Sequence, residues 1–183
     1  GASVDFVDVE TETGNISVSA LTEKLESAEK SGNTPDVVIP VHFAGQSCPM
    51  KEIAYLGEKY GFNIIEDASH ALGGRYNGIP VGSCTFSEMA VFSFHPLKSI
   101  STGEGGMILT NNADFYSTLR MLRHNGITNL PQMLYENHGP WYYEQINLGS
   151  NFWLTDIQAA IGIVQMGKLD VLIKRRKIID TLY

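Results

Sequence analysis

Ile64-Ile65-Glu66-Asp67-Ala68-Ser69-His70-Ala71-Leu72-Gly73-Gly74 is the stretch on which the fold turns, because it sets a carboxylate at the end of a short apolar run. In open α/β sheets, ligands bind beyond the carboxyl ends of the strands. A carboxylate there suits a metal, a ribose or a protonated heterocycle, and it equally suits a helix cap or a loop hydrogen bond.

Outward from this stretch, short apolar runs alternate with segments of helical period. Val4 to Val9, Val37 to Val41, Phe62 to Ile65, Met89 to Phe94 and Gly106 to Leu109 read as strands. Val18 to Lys30 and Met50 to Tyr60 read as helices, as does Ala113 to His124 behind a cap at Asn111 or Asn112. Periodicity fades from Ile127 to Ser150, which reads as a long loop, and a last helix is expected from about Leu154 onward. Strands alternating with helices predict an α/β fold with a mainly parallel sheet. The apolar pattern carried to the last residues without a stop signal, and the opening Gly1-Ala2-Ser3 without methionine, suggest a piece of a longer protein.

Composition narrows the classes of function. With a net charge of -7 and no basic stripe before the Lys174 to Lys177 cluster, nucleic acid is not an expected partner. No apolar run approaches the roughly 18 residues of a membrane span, so a soluble, cytoplasmic protein is expected. Cys48 and Cys84 are too few for a disulfide framework and are not spaced as metal ligands. His42, His95 and His124 show no ligand spacing either, so no metal is expected. A dinucleotide-binding oxidoreductase would need Gly-x-Gly-x-x-Gly opening a helix, and Gly103-Glu104-Gly105-Gly106 instead precedes a strand.

The second informative stretch is Phe92-Ser93-Phe94-His95-Pro96-Leu97-Lys98-Ser99-Ile100-Ser101-Thr102-Gly103-Glu104-Gly105-Gly106. A lysine in such a turn is either a solvated surface charge or a desolvated amine able to form a Schiff base. The two stretches together supply an aspartate ending one strand, a lysine after a later strand and a serine five residues before it. With Asp5-Phe6-Val7-Asp8, Val41-His42-Phe43-Ala44-Gly45 and Thr155-Asp156-Ile157-Gln158-Ala159-Ala160, the chain resembles the DegT/DnrJ/StrS family of pyridoxal-phosphate (PLP) dependent sugar aminotransferases.

The resemblance implies a three-layer α/β/α fold, incomplete in this chain. Residues 1–165 would be part of the PLP-binding large domain, and 166–183 the start of the helix leading to a C-terminal small domain. It makes Lys98 the Schiff-base lysine and proton carrier, and Asp67 the carboxylate facing the pyridine nitrogen. His70 would pack on the ring or hydrogen-bond to its oxygen, the alternative being a capped core histidine. Ser93 would contact the cofactor phosphate, and Asn151 would reach the phosphate of a neighbouring subunit.

Because relatives that dehydrate sugars carry histidine at the Lys98 position, the lysine favours transamination. Gly139-Pro140-Trp141-Tyr142-Tyr143-Glu144-Gln145 resembles the corresponding loop of enzymes that aminate a UDP-linked 4-keto-6-deoxy-N-acetylhexose on the route to pseudaminic acid. The resemblance further implies L-glutamate as donor, a UDP-keto sugar as acceptor and a homodimer. One departure stands out: Asn151-Phe152-Trp153 occupies the place of the family's Asn-Tyr-Arg, exchanging a guanidinium for an indole. Two alternatives stay open, a catalytically incompetent fragment and a family member acting on a different keto sugar.

Overall fold

The computed structural model describes residues 1–182. In chain order its elements begin with α1 (Val18–Ser31), β1 (Val37–Val38), α2 (Met50–Tyr60) and β2 (Asn63–Asp67). They continue with β3 (Arg75–Tyr76), β4 (Ile79–Pro80), β5 (Met89–Ser93) and β6 (Gly106–Leu109). After these come α3 (Ala113–Arg123), β7 (Ile127–Thr128), β8 (Glu144–Gln145), α4 (Asp156–Met166) and α5 (Leu169–Asp180). Residues 110–155 form one compact unit, and residues 1–109 with the segment from Asp156 form the other.

The larger unit is built on a four-stranded sheet of order β1-β2-β5-β6. β1 runs parallel to β2 and β2 parallel to β5, while β6 returns antiparallel to β5. The expected mainly parallel α/β sheet is therefore present. α1 starts where the Ser17 hydroxyl accepts the Ala20 N–H, and it stops at Gly32, whose φ of 69° is cheap only for glycine. Its Leu21 and Leu25 join Ile53 and Leu56 of α2 and Val38 and Ile64 of the sheet in one core. Val38, Ile64, Glu66, Ala90 and Phe92 share that buried face by register. A second cluster of Ala68, Ala71, Phe92, Phe94 and Ile100 packs against Leu169 and Leu172 of α5.

Several boundaries differ from the sequence reading. Val4 to Val9 forms no strand; Val9 alone bridges Ile16, and Val4 and Phe6 are exposed. An apolar run becomes a strand only where a neighbour offers a ladder. Val37 to Val41 pairs continuously only at Val37–Val38, because Pro40 has no N–H to donate, and the ladder resumes at Val41 opposite Asp67. β2 in turn runs on to Asp67 itself. The expected last helix is two helices, broken at Gly167-Lys168, where glycine has lower helix propensity and Lys168 N–H bonds back to Gln165.

The smaller unit also carries more order than a loop. Asn112 caps α3 by accepting the N–H groups of Asp114 and Phe115 at 2.8 and 3.1 Å. β7 and β8 pair antiparallel, so the stretch from Ile127 to Ser150 closes into a hairpin.

Candidate active site

Asp67 ends β2 with both backbone groups engaged, its N–H donating to Pro40 O at 2.9 Å and its carbonyl accepting from His42 N–H at 3.0 Å. Its register partner on β5 is Val91. Since side chains alternate along a strand, Asp67, Val91 and Ser93 lie on one face of the sheet, opposite Glu66 and Phe92. The Asp67 Oδ1 accepts Ser69 N–H at 3.0 Å, a local turn bond. Among the described residues no hydrogen bond engages Oδ2, so the half-buried carboxylate keeps an open acceptor.

Past Ser93 the chain folds back to β6 through the lysine turn. Phe94 and Thr102 close it: Phe94 N–H donates to Gly105 O at 2.8 Å, and Thr102 N–H to Phe94 O at 3.0 Å. Inside, Lys98 N–H donates to His95 O at 2.9 Å and Leu97 N–H to His95 Nδ1 at 3.2 Å. Lys98 is half-buried, and among the described residues its ammonium makes no hydrogen bond or ion pair. Its peptide, by contrast, is held firmly. Arg176 of α5 donates to the Lys98 carbonyl at 3.2 Å and to Ser99 Oγ at 3.1 Å.

His70 is exposed beyond the end of β2 and meets Phe43 edge-on, with ring centres 6.4 Å apart. The close approach depends on Gly45, where a Cβ would come within 2.9 Å of the His70 carbonyl. The Ser93 hydroxyl accepts His95 N–H at 3.4 Å. Lys98, Asp67, Ser93 and His70 thus occupy one unit, at the carboxyl ends of the adjacent strands β2 and β5 and in the turns that follow them.

These four residues also meet a simple test of fit to PLP. An open carboxylate acceptor suits a protonated pyridine nitrogen, an unpartnered amine suits a carbonyl carbon, and a hydroxyl suits a phosphate. Phe43 and Arg176 were not singled out from the sequence. Phe43 belongs to the strand-end stretch Val41 to Gly45, whereas nothing local marks Arg176, which is 78 residues from the carbonyl it holds.

Asn151 belongs to the smaller unit, where it is exposed and bridges His124 antiparallel. Two residues on, Trp153 Nε1–H donates to His124 Nδ1 at 3.0 Å, and the Arg123 guanidinium sits 4.4 Å from the Trp153 ring centre. A guanidinium therefore lies beside the Trp153 indole. A cavity of about 620 Å³ in this unit is lined in part by Arg120, Arg123, Trp141, Tyr142, Tyr143 and Trp153. Glu144 ties the aromatic loop by accepting Tyr135 N–H at 2.7 Å, Glu136 N–H at 3.1 Å and the Tyr142 hydroxyl at 2.9 Å. The bonds from Tyr135 N–H and then Tyr142 hold its carboxyl below the usual range.

Comparison with known proteins accords with this geometry. The chain is 38% identical over its whole length to a UDP-4-amino-4,6-dideoxy-N-acetyl-beta-L-altrosamine transaminase of Campylobacter jejuni, and covers 45% of it. Helicobacter pylori PseC, an aminotransferase involved in the biosynthesis of pseudoaminic acid, superposes with a TM-score of 0.76 at 30% identity. That match covers 90% of this chain and 40% of PseC. A Streptococcus pneumoniae protein described as a sugar aminotransferase, in its PLP form, superposes with a TM-score of 0.78 at 26% identity. It matches 99% of this chain and 47% of its own. The chain spans somewhat under half the length of these relatives. The family model for the DegT/DnrJ/EryC1/StrS aminotransferases matches residues 1–183, and the chain belongs to that family.

Proposed function

We propose that this chain is the part of a PLP-dependent sugar aminotransferase that carries the reacting lysine, and that the whole protein moves an amino group from L-glutamate to C4 of a UDP-linked 4-keto-6-deoxy sugar. One observation carries the reading: in a member of this family, a half-buried Lys98 whose ammonium has no hydrogen-bond or ion-pair partner among the described residues follows the strand whose neighbour ends in Asp67. PLP, when bound, supplies an electron sink for the carbon that loses its proton.

The protein's share is binding, orientation and proton movement. Lys98 Nζ anchors the cofactor and moves the proton at the reacting carbon, a task for an amine kept from full solvation. Asp67 Oδ2 holds a proton on the ring nitrogen by pairing with it. Ser93 Oγ binds phosphate, and His70 lies against the ring beside Phe43. We place Asn151 against the phosphate of a second subunit in a homodimer, residues 1–165 in the large domain, and 166–183 in the helix leading to a small domain. UDP and sugar recognition is assigned to the aromatic loop from Gly139 to Gln145, where rings stack and Arg120 or Arg123 pairs with phosphate. The names of the Campylobacter and Helicobacter relatives support the choice of sugar.

The test is an absorbance spectrum with added PLP, followed by borohydride reduction and mass mapping. A visible band with the label on Lys98 is the expected result. Failure to label Lys98 in the complete protein would sink the assignment.

A further inference from the structure

Beneath Asp67 lies a polar cluster that the proposed chemistry does not use. His42 is fully buried and Glu66 is 4% exposed. His42 Nε2 and Glu66 Oε2 are 2.8 Å apart, Cys48 N–H donates to His42 Nδ1 at 3.1 Å, and the Ser87 hydroxyl donates to Glu66 Oε1. These bonds assign the tautomer. Because Nδ1 accepts from a backbone amide it carries no proton, so the ring proton sits on Nε2 and points at Glu66. The ring is neutral. Glu66 is then held by two neutral donors, and no Lys or Arg forms an ion pair with it among the described residues.

Such a cluster is poor value as a source of stability. Replacing a buried polar set by apolar side chains of like shape is often neutral or stabilising. What it does supply is a fixed strand end. His42 N–H bonds to Asp67 O at 3.0 Å and Asp67 N–H to Pro40 O at 2.9 Å, while the His42 ring grips Glu66 on the opposite face of the strand. Ser87 adds an anchor from just before β5. Two distant segments, Pro40 to His42 and Ser87, thus converge on the two residues that end β2.

We infer that Glu66, held by His42 and Ser87, is a positioning residue for Asp67, setting through the β2 backbone the height and direction of that carboxylate. The inference rests on the proposed pairing of Asp67 with the cofactor's ring nitrogen. A displaced Asp67 would leave cofactor attachment at Lys98 intact and disturb only the ring's protonation and turnover, since misplacement of about 1 Å costs roughly a hundredfold in rate.

The experiment uses the complete protein loaded with PLP, and compares Glu66→Ala, Glu66→Gln and Ser87→Ala with Asp67→Asn. Glutamine can still accept from His42 and donate to Ser87; alanine can do neither. In Glu66→Ala, Lys98 is expected to be labelled by borohydride to the unsubstituted extent. Its kcat is expected to fall about tenfold or more with donor KM little changed. The pH midpoint of its visible band should shift in the same direction as in Asp67→Asn, and Glu66→Gln should restore most of both properties. If Glu66→Ala does not fold, Ser87→Ala is read by the same criteria. A folded variant with an unmoved band and normal kcat overturns the inference alone. Absence of label on Lys98 in the unsubstituted protein overturns the cofactor reading and this inference with it.

Discussion

Asp67 and Ser93 stand on the same face of the sheet, because Asp67 is in register with Val91 and Ser93 lies two residues further along β5. Only the carboxylate carries the charge that a protonated ring nitrogen needs. Asp67→Asn in the complete protein should therefore keep cofactor bound and the Lys98 label in place, while kcat falls by about two orders of magnitude or more. Lys98→Ala should lose the visible band entirely. A Lys98→Ala protein with normal turnover would end the proposed mechanism.

The Arg123–Trp153 stack and the Trp153–His124 hydrogen bond brace the segment that carries Asn151. Arg123→Ala should cost about 0.5–1 kcal/mol, the usual worth of an exposed cation–π pair. Trp153→Phe, which keeps a ring but loses the N–H donor, should cost about 0.5–1.5 kcal/mol. Since both act on one ring, their effects should not add. A double-mutant cycle by urea unfolding measures the coupling, and strict additivity would argue against a shared brace.

Glu144 is held below its ordinary pKa by bonds that its ionised form accepts. The sign follows: a depressed folded pKa contributes order that is complete above the unfolded value and lost as pH falls through the folded one. Acidification into that low range should release the Tyr135 and Glu136 amides before the sheet unfolds. Amide exchange at those two positions against pH reports it, and Glu144→Gln should show weaker protection already at neutral pH.

The two thiols should react in a fixed order. Burial pushes Cys48 up to about 12, and its side chain is fully enclosed, donating to Val41 O. Desolvation also raises Cys84, which is only half-buried. Iodoacetamide at mild alkaline pH should modify Cys84 first, with Cys48 labelled only when denaturant opens the core. Mass mapping over time distinguishes this from equal labelling.

Core substitution offers a separate check on the fold. Ile53 is fully buried among Leu21, Leu25 and Ile64, so Ile53→Ala should cost about 2–5 kcal/mol in unfolding free energy. Leu97→Ala, at an exposed position in the lysine turn, should change stability by less than about 0.5 kcal/mol. Denaturant titration of both variants compares them directly.

The alternation of strands and helices, a cap at Asn111 or Asn112, and the placing of Asp67 at the end of one strand and Lys98 after another were legible in the sequence by itself. Period, capping and turn chemistry are properties of neighbours along the chain. The family motifs added roles to residues already in view. What only the tertiary structure decided is where distant segments meet. The register of Asp67 with Val91, the grip of His42 on Glu66 across 24 residues and the reach of Arg176 to the Lys98 peptide leave no local pattern. The same reason explains the misread boundaries. Val4 to Val9 has the composition of a strand but no continuous ladder to join, while β2 gains Glu66 and Asp67 because β5 offers partners for both. A strand is completed by its neighbours, and those are chosen by the fold.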